Sequence, residues 1–357
     1  MIIPIFIEHN KKGRREMSVT IKDVAKKANV APSTVSRVMS DSPNISEKTK
    51  RKVRKVMEEL GYHLNLNART LVQKSTQTIG IVMKNSTSQS LLNPVFPEVL
   101  SGISAFCHKQ GYSMLLTTGE TEDDIFVDTV KMVQGKRVDG VIVLYSKKDD
   151  QVVPFLMRSG IPFAVIGKPV LDSNKIMYVD NDNIQAAKDA TDYVIKRGHQ
   201  RIGFIGGDPR FEVTEARLSG YKEAVRESNL GIQDDYIKNF PYDRELGTLA
   251  IDELLDLPEP PTAIVITDDL NALIVLLALR ERNIKVPDDI SIVSFNNTMI
   301  SRLSTPPLTS VDIQTFQLGF ESARCLIEQI KEPETINKRI IIPAIIVERE
   351  SCIVYEH

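Results

Sequence analysis

The chain has 357 residues, of which 42% are hydrophobic, 26% charged and 6% aromatic, and its net charge is −2. This composition is globular, and the length suits two or three domains rather than one; no apolar run approaches the ~20 residues a membrane-spanning helix requires. Ile2–Ile7 is too short, and too poor in preceding basic residues, to be a secretion signal, while Cys107, Cys325 and Cys352 lie too far apart for a disulfide scaffold or zinc site, so a reducing cytoplasm is expected.

The small net charge hides an asymmetry. Residues 17–75 carry twelve Lys/Arg against five Asp/Glu, a balance of +7, whereas the residues beyond carry 29 against 40, a balance of −11. A small basic module joined to a large acidic one suggests a polyanionic partner for the first part only. Ahead of it, Met1–Glu16 reads as a short apolar run followed by Lys-Lys-Gly-Arg-Arg-Glu. Those residues suit purine-rich codons of a ribosome-binding site, so Met17 is the expected native start and 1–16 a leader. The other reading is a disordered basic arm that adds nonspecific affinity for a polyanion.

Thr20 and Asp23 have the spacing of a helix start, and Ile21, Val24, Ala25 and Ala28 recur at helical spacing. Asn29 breaks that helix, and Pro32 suits the first turn of a second, Pro32–Met39, with Val35 and Val38 inward. Ser46 and Glu47 open a long basic helix over Ser46–Leu60, ended by Gly61, whose Val53, Val56, Met57 and Leu60 close a three-helix core. Two short helices at a tight turn, the second rich in small polar residues and Arg, form a helix-turn-helix.

Residues 19–38, VTIKDVAKKANVAPSTVSRV, resemble the headpiece of the lactose/galactose-repressor family, as do Ile45-Ser-Glu-Lys-Thr49 and Leu60-Gly-Tyr62. The resemblance implies a DNA-binding headpiece over 17–63, with Pro32, Ser33 and Arg37 at base edges of the major groove. Arg is suited to bidentate contact with guanine. Thr20, Thr34 and Ser36 fall at phosphate-contact positions, which fix register without reading sequence. Ser40 stands where relatives usually carry Asn. Asn67-Ala-Arg-Thr-Leu71 resembles the family's hinge helix, within a hinge and linker over 64–77. The resemblance implies DNA contacts from Asn67, Ala68 and Arg69, and a minor-groove wedge from Leu71 that kinks the duplex.

After Gln77 the pattern becomes short Val/Ile-rich strands alternating with amphipathic helices. Strands are predicted at Thr78–Met83, Ser113–Thr117, Gly140–Leu144, Phe163–Ile166, Ile202–Ile205, Ala263–Thr267 and Ile290–Phe295, with one more at Arg339–Val347. Helices are predicted at Pro97–Gln110, Ala186–Arg197, Arg217–Glu227 and Leu270–Arg282. Alternation of this kind gives parallel sheets covered on both faces, and some 280 residues call for two α/β subdomains with a cleft between them. No GxSxG, P-loop or HExxH is present, so no catalysis, metal or cofactor is expected.

Family motifs continue through Asn93-Pro-Val-Phe-Pro97, Gly198–Gly207, Ala216–Tyr221 and Val286–Ile292, implying a periplasmic-binding-protein-like core over 78–357. By resemblance Arg217 and Asp269 hold effector hydroxyls, Tyr242 stacks on a sugar or base, Phe96 sits at the mouth, and Asn296 lies near a crossover. Val165-Ile-Gly-Lys168-Pro169 resembles the maltose-operon repressor branch from low-GC Gram-positive bacteria. This adds Lys168 to the effector set and makes maltose or a maltodextrin the expected effector. The implied protein is a cytoplasmic, nucleoid-associated homodimeric repressor that binds a pseudo-palindromic operator and is released by sugar. A catabolite regulator using a phosphorylated carrier protein as co-effector is the alternative.

Overall fold

The computed structural model describes residues 19–39, 41–62, 75–84 and 91–356. The chain divides into two compact units, Met1–Lys74 and Ser75–His357.

In the first unit α1 (Ile21–Ala28), α2 (Pro32–Met39) and α3 (Glu47–Leu60) bury Val24, Ala25, Ala28, Val35, Val38, Val53 and Val56 against one another. Met57 and Leu60 pack at the margin. The Asp23 carboxylate accepts from the backbone N–H and the hydroxyl of Thr20, at 2.8 and 2.7 Å, and so fixes the start of α1. Asn29 and Gly61 end α1 and α3 in the left-handed conformation. Lys50 is buried but doubly paired, to Asp41 at 3.0 Å and Glu47 at 3.1 Å, and this ties the segment after α2 to α3.

The second unit is two six-stranded sheets with the same strand plan. The first holds β1 (Thr78–Val82), β2 (Ser113–Leu116), β3 (Gly140–Val143), β4 (Phe163–Ile166), β5 (Met177–Asp180) and β11 (Arg339–Ile341), in the order β11-β5-β4-β3-β1-β2, all parallel. The second holds β6 (Ile202–Gly206), β7 (Ile237–Asn239), β8 (Ala263–Ile266), β9 (Ser291–Phe295), β10 (Thr309–Asp312) and β12 (Ile345–Val347), in the order β12-β10-β9-β8-β6-β7. Only the β10–β12 pair is antiparallel. Central strands are buried on both faces, as expected where helices cover a parallel sheet.

The helices of the first subdomain are α4 (Val95–Gln110), α5 (Glu122–Gln134), α6 (Val152–Ser159) and α12 (Thr315–Lys331). Those of the second are α7 (Asn183–Ile195), α8 (Glu212–Glu227), α9 (Arg244–Leu255), α10 (Asp269–Glu281) and the short α11 (Met299–Leu303). Helix α12 follows a strand of the second sheet yet packs on the first subdomain, beside α4. The approach is close enough to need glycine: a Cβ on Gly102 would lie 2.0 Å from the Phe316 carbonyl oxygen, and one on Gly319 2.1 Å from that of Val99.

The chain therefore passes between subdomains three times, after β5, after β10 and after β11. The amide of Asn181, at the first crossover, donates to the carbonyls of Ile313 at 3.1 Å and Ile342 at 2.8 Å, so one side chain joins all three. The single strand expected over Arg339–Val347 is in fact two strands in different sheets. Pro343 lies between them; having no N–H, it cannot continue a ladder. Helix α10 is rich in apolar residues, and Val275, Leu276 and Leu279 are core. Leu246 and Leu249 of α9 and Leu303 of α11 are exposed nearby.

Candidate functional site

Each unit carries one candidate site. In the headpiece Pro32, Ser33 and Arg37 are exposed on α2, Thr34 and Ser36 are half-buried, and Thr20 is exposed before α1. Ser33 and Arg37 are four residues apart and so share a face, away from buried Val35 and Val38. Ser40, Asn67, Ala68, Arg69 and Leu71 lie outside the described residues.

In the core a cavity of 380 Å³ opens between the subdomains, within the size range of small-molecule sites. Its walls include Phe96 and Asn93 from the first subdomain, and Arg217, Tyr242, Asp268 and Asn296 from the second. The mouth is drawn together by a β-bridge between Lys147 and Phe211: Lys148 N–H donates to the Arg210 carbonyl at 2.8 Å, and Glu212 N–H to that of Ser146 at 3.0 Å. Ion pairs Arg210–Glu122 (3.4 Å) and Lys148–Glu215 (3.3 Å) flank it, and Lys147 also pairs with Glu122.

Arg217 reaches the cavity from the second turn of α8. Its Nε donates to Asn183 Oδ1 at 3.0 Å and its Nη1 to the Thr267 carbonyl at 2.6 Å, and the guanidinium lies 4.3 Å from the Phe295 ring centroid. Burial lowers its pKa to about 10, opposed chiefly by Asp268 and Asp180, so it stays charged at neutral pH. Among the described residues Nη2 has no hydrogen-bond partner and is left for a ligand.

The acid opposite Arg217 is Asp268, not Asp269. Asp268 is the N-cap of α10, with Oδ1 accepting from Leu270 N–H at 2.7 Å. Its Oδ2 faces the cavity and accepts from Asn296 (2.8 Å), the Tyr242 hydroxyl (3.1 Å) and Asn93 (3.2 Å). Asp269, one residue into the helix, points the other way. It is consumed by Ser294 and Ser310 hydroxyls at 2.6 and 2.9 Å and by Thr298 N–H and hydroxyl at 2.7 and 2.9 Å. It is therefore a structural hub beneath β9 and β10. Lys168 is also displaced from its expected place. The chain turns at Gly167, in a positive-φ conformation, leaving the Lys168 side chain exposed and off the cavity wall. Only its backbone N–H serves the site, donating to Asp180 Oδ2 at 2.9 Å.

Tyr242, Phe96 and Asn296 do meet at the cavity. The Tyr242 hydroxyl accepts from Asn93 Nδ2 at 2.9 Å, across the cleft, and the residue is 41% exposed. Desolvation of the hydroxyl and the Asp268 charge raise its pKa well above the usual phenol value. Sequence reading did not assign Lys84, Asp180, Glu212, Asp268 or Asn271. Burial raises Asp180 to about 6, while burial and the Asp180 charge raise Glu212 to about 7. Among the described residues the Asn271 side-chain oxygen is buried without a partner. The signal for Asp268 was legible: in an Asp-Asp pair after a strand, the first is the better helix cap. The others carry no local signature: Asp180 ends β5, Glu212 opens α8, Asn271 lies within α10 and Lys84 follows β1. Among the described residues no cluster of His, Cys, Asp or Glu is placed to hold a metal ion.

Comparison with known proteins agrees with this geometry. Residues 20–65 match the model of bacterial regulatory proteins of the lacI family, and 191–352 that of the periplasmic binding protein-like domain. The HTH-type transcriptional regulator MalR of Staphylococcus xylosus is 36% identical over 334 residues, covering 93% of this chain and 98% of its own. The chain belongs to the LacI family. Its relatives are DNA-binding transcriptional regulators, and the family is not enzymatic. Among solved structures, a probable maltose operon transcriptional repressor from Staphylococcus aureus is 32% identical with a TM-score of 0.72, covering 78% of this chain and 98% of its own. A complex of the regulator CelR with cellobiose is 29% identical with a TM-score of 0.72, covering 93% and 99%.

Proposed function

We propose that this LacI-family regulator represses a sugar-utilisation operon as a dimer on a pseudo-palindromic operator, and that a maltose-type sugar releases it. One observation carries the sugar reading: the cavity wall pairs an aromatic face with hydrogen-bond donors and acceptors. Tyr242 is partly exposed, Arg217 Nη2 has no hydrogen-bond partner among the described residues, and the Asp180 and Asp268 carboxylates line the wall. A neutral ring with one apolar face and several hydroxyls, each able to donate and accept, answers all three. The cellobiose bound by CelR and the maltose operon named for the Staphylococcus aureus repressor support a glucoside.

In the headpiece Arg37 and Ser33 read bases, while Thr20, Thr34 and Ser36 hold phosphates. Two-fold operators require two headpieces, and exposed Leu246 and Leu249 give the core an apolar face suited to a second copy. Closure of the cleft on sugar and pairing of two chains on DNA then bias each other by a shared coupling free energy of about 1–3 kcal/mol. Calorimetric titration of the full chain with maltose, maltotriose, sucrose, galactose and hypoxanthine tests the effector class. Saturable binding of maltose or maltotriose is expected, and binding of hypoxanthine alone would replace the sugar reading with a purine one.

A further inference from the structure

Lys84, two residues beyond β1, places its ammonium in the cavity among three aromatic rings. Its Nζ lies 4.8 Å from the ring centroid of Phe211, 5.2 Å from Tyr242 and 5.7 Å from Phe96. Phe96 belongs to the same subdomain as Lys84, whereas Phe211 and Tyr242 lie across the cleft. Among the described residues no carboxylate pairs with it; Asp268 and Asp208 act on it only at longer range. Burial pushes its pKa below the usual lysine value. An ammonium taken out of water is costly unless charge and hydrogen bonds replace the lost solvent. Ring faces supply part of this electrostatically, but among the described residues no oxygen accepts from its three N–H donors.

We propose that Lys84 is a specificity-determining residue of the effector site, donating to ring or hydroxyl oxygens of an uncharged sugar stacked among Phe96, Phe211 and Tyr242, and rejecting sugars that carry an amine. This rests on the sugar reading given above. The chemistry is selective by charge. A hydroxyl placed at Lys84 can accept from it, whereas a protonated amine there meets a like charge and can only donate. The acids on the wall, Asp180, Asp208, Glu212 and Asp268, correspondingly oppose a phosphorylated sugar. Because the rings come from both subdomains, a sugar held by Lys84 also bridges the cleft.

The test compares the full-length wild type with Lys84→Met, which keeps length and apolar stem, and Lys84→Arg, which keeps charge and donors. Maltose affinity is read by calorimetry, and sugar-free stability by thermal melting. Lys84→Met is expected to bind maltose about 10-fold or more weakly, the effect of losing a hydrogen bond from a charged group. Its sugar-free melting temperature should be equal or higher, because a half-buried ammonium with no carboxylate partner among the described residues is gone. Lys84→Arg should stay within a few-fold of wild type. Unchanged maltose affinity in Lys84→Met overturns the assignment and leaves the sugar reading standing. A lower sugar-free melting temperature in Lys84→Met also overturns it, making the lysine a structural strut. Absence of maltose binding by the wild type refutes the sugar reading, and the role of Lys84 falls with it.

Discussion

The headpiece and the core solve recognition in opposite ways. In the headpiece, the described residues assigned to DNA, Thr20 and five of α2 from Pro32 to Arg37, lie within eighteen positions of one another on α2 and just before α1. In the core, Lys84, Phe96, Asp180, Arg217, Tyr242 and Asp268 come from segments up to 184 residues apart and become neighbours only when both sheets form. The headpiece needs exposure because its partner is a large polyanion whose phosphates and base edges lie outside the protein. The core offers enclosure, which suits the proposed sugar, since a small neutral ligand gains affinity only where water is excluded and polar groups are fixed in advance. One consequence is that headpiece substitutions should change binding with little effect on folding. Core substitutions must be separated into those that meet ligand and those that hold the walls.

Arg217 is the sharpest case on the core side. Arg217→Ala removes a buried cation facing Asp268 and Asp180, and sugar affinity should fall on the order of 100-fold or more. Operator affinity without sugar, read by anisotropy, should change little; its collapse would mean that Arg217 holds the fold together. On the headpiece side, Arg37→Ala should cost about 10- to 100-fold at the operator and little on random DNA at the same salt. Equal losses on both DNAs would move Arg37 to a phosphate.

The Asp268–Asp269 pair divides ligand contact from structure within two residues. Asp268→Asn should weaken sugar binding, by about 10-fold, with a small change in melting. Asp269→Asn, which disturbs contacts from Ser294, Ser310 and Thr298, should destabilise the core by about 1–3 kcal/mol. Reversal of the two phenotypes would restore Asp269 to the ligand.

The smallest expected effect is in pH dependence. Folded Asp180 and Glu212 titrate near 6 and 7, above their ordinary values of 3.8 and 4.5. Between those limits the folded state holds more protons than the unfolded one, so their contribution to stability falls as pH rises from about 4 to 7. Glu212→Gln should therefore melt a few degrees above wild type at pH 8 and converge with it near pH 5. A constant offset at every pH would assign the effect to packing instead.

The same contrast explains what the sequence revealed. The three headpiece helices follow from local rules: Thr20 with Asp23, Pro32 at a first turn, Ser46 as a cap and Gly61 as a stop. The periodicity of Val35, Val38, Val53 and Val56 fixed the buried face. In the core, strands such as Phe163–Ile166 and Ile202–Gly206 were legible as apolar runs, but Ile237–Asn239 and Thr309–Asp312 are short, polar and defined only by their neighbours. The division of Arg339–Val347 between two sheets was signalled by Pro343, yet which sheet takes each half depends on the three crossovers joined by Asn181. Arg217, Tyr242, Phe96 and Asn296 were placed by motif. Lys84 and Glu212 were not, because a lysine after a strand and a glutamate opening a helix look like ordinary solvated residues until the opposite wall is present.

In the proposed function, sugar in the core controls DNA binding by the headpiece. The most direct test is fluorescence anisotropy of operator DNA with the full chain, at fixed salt, titrated with maltose, with galactose and hypoxanthine as controls. The account predicts that maltose weakens operator binding by about 5- to 150-fold and leaves nonspecific binding unchanged. Operator binding that is indifferent to maltose and to every other sugar tried would contradict it.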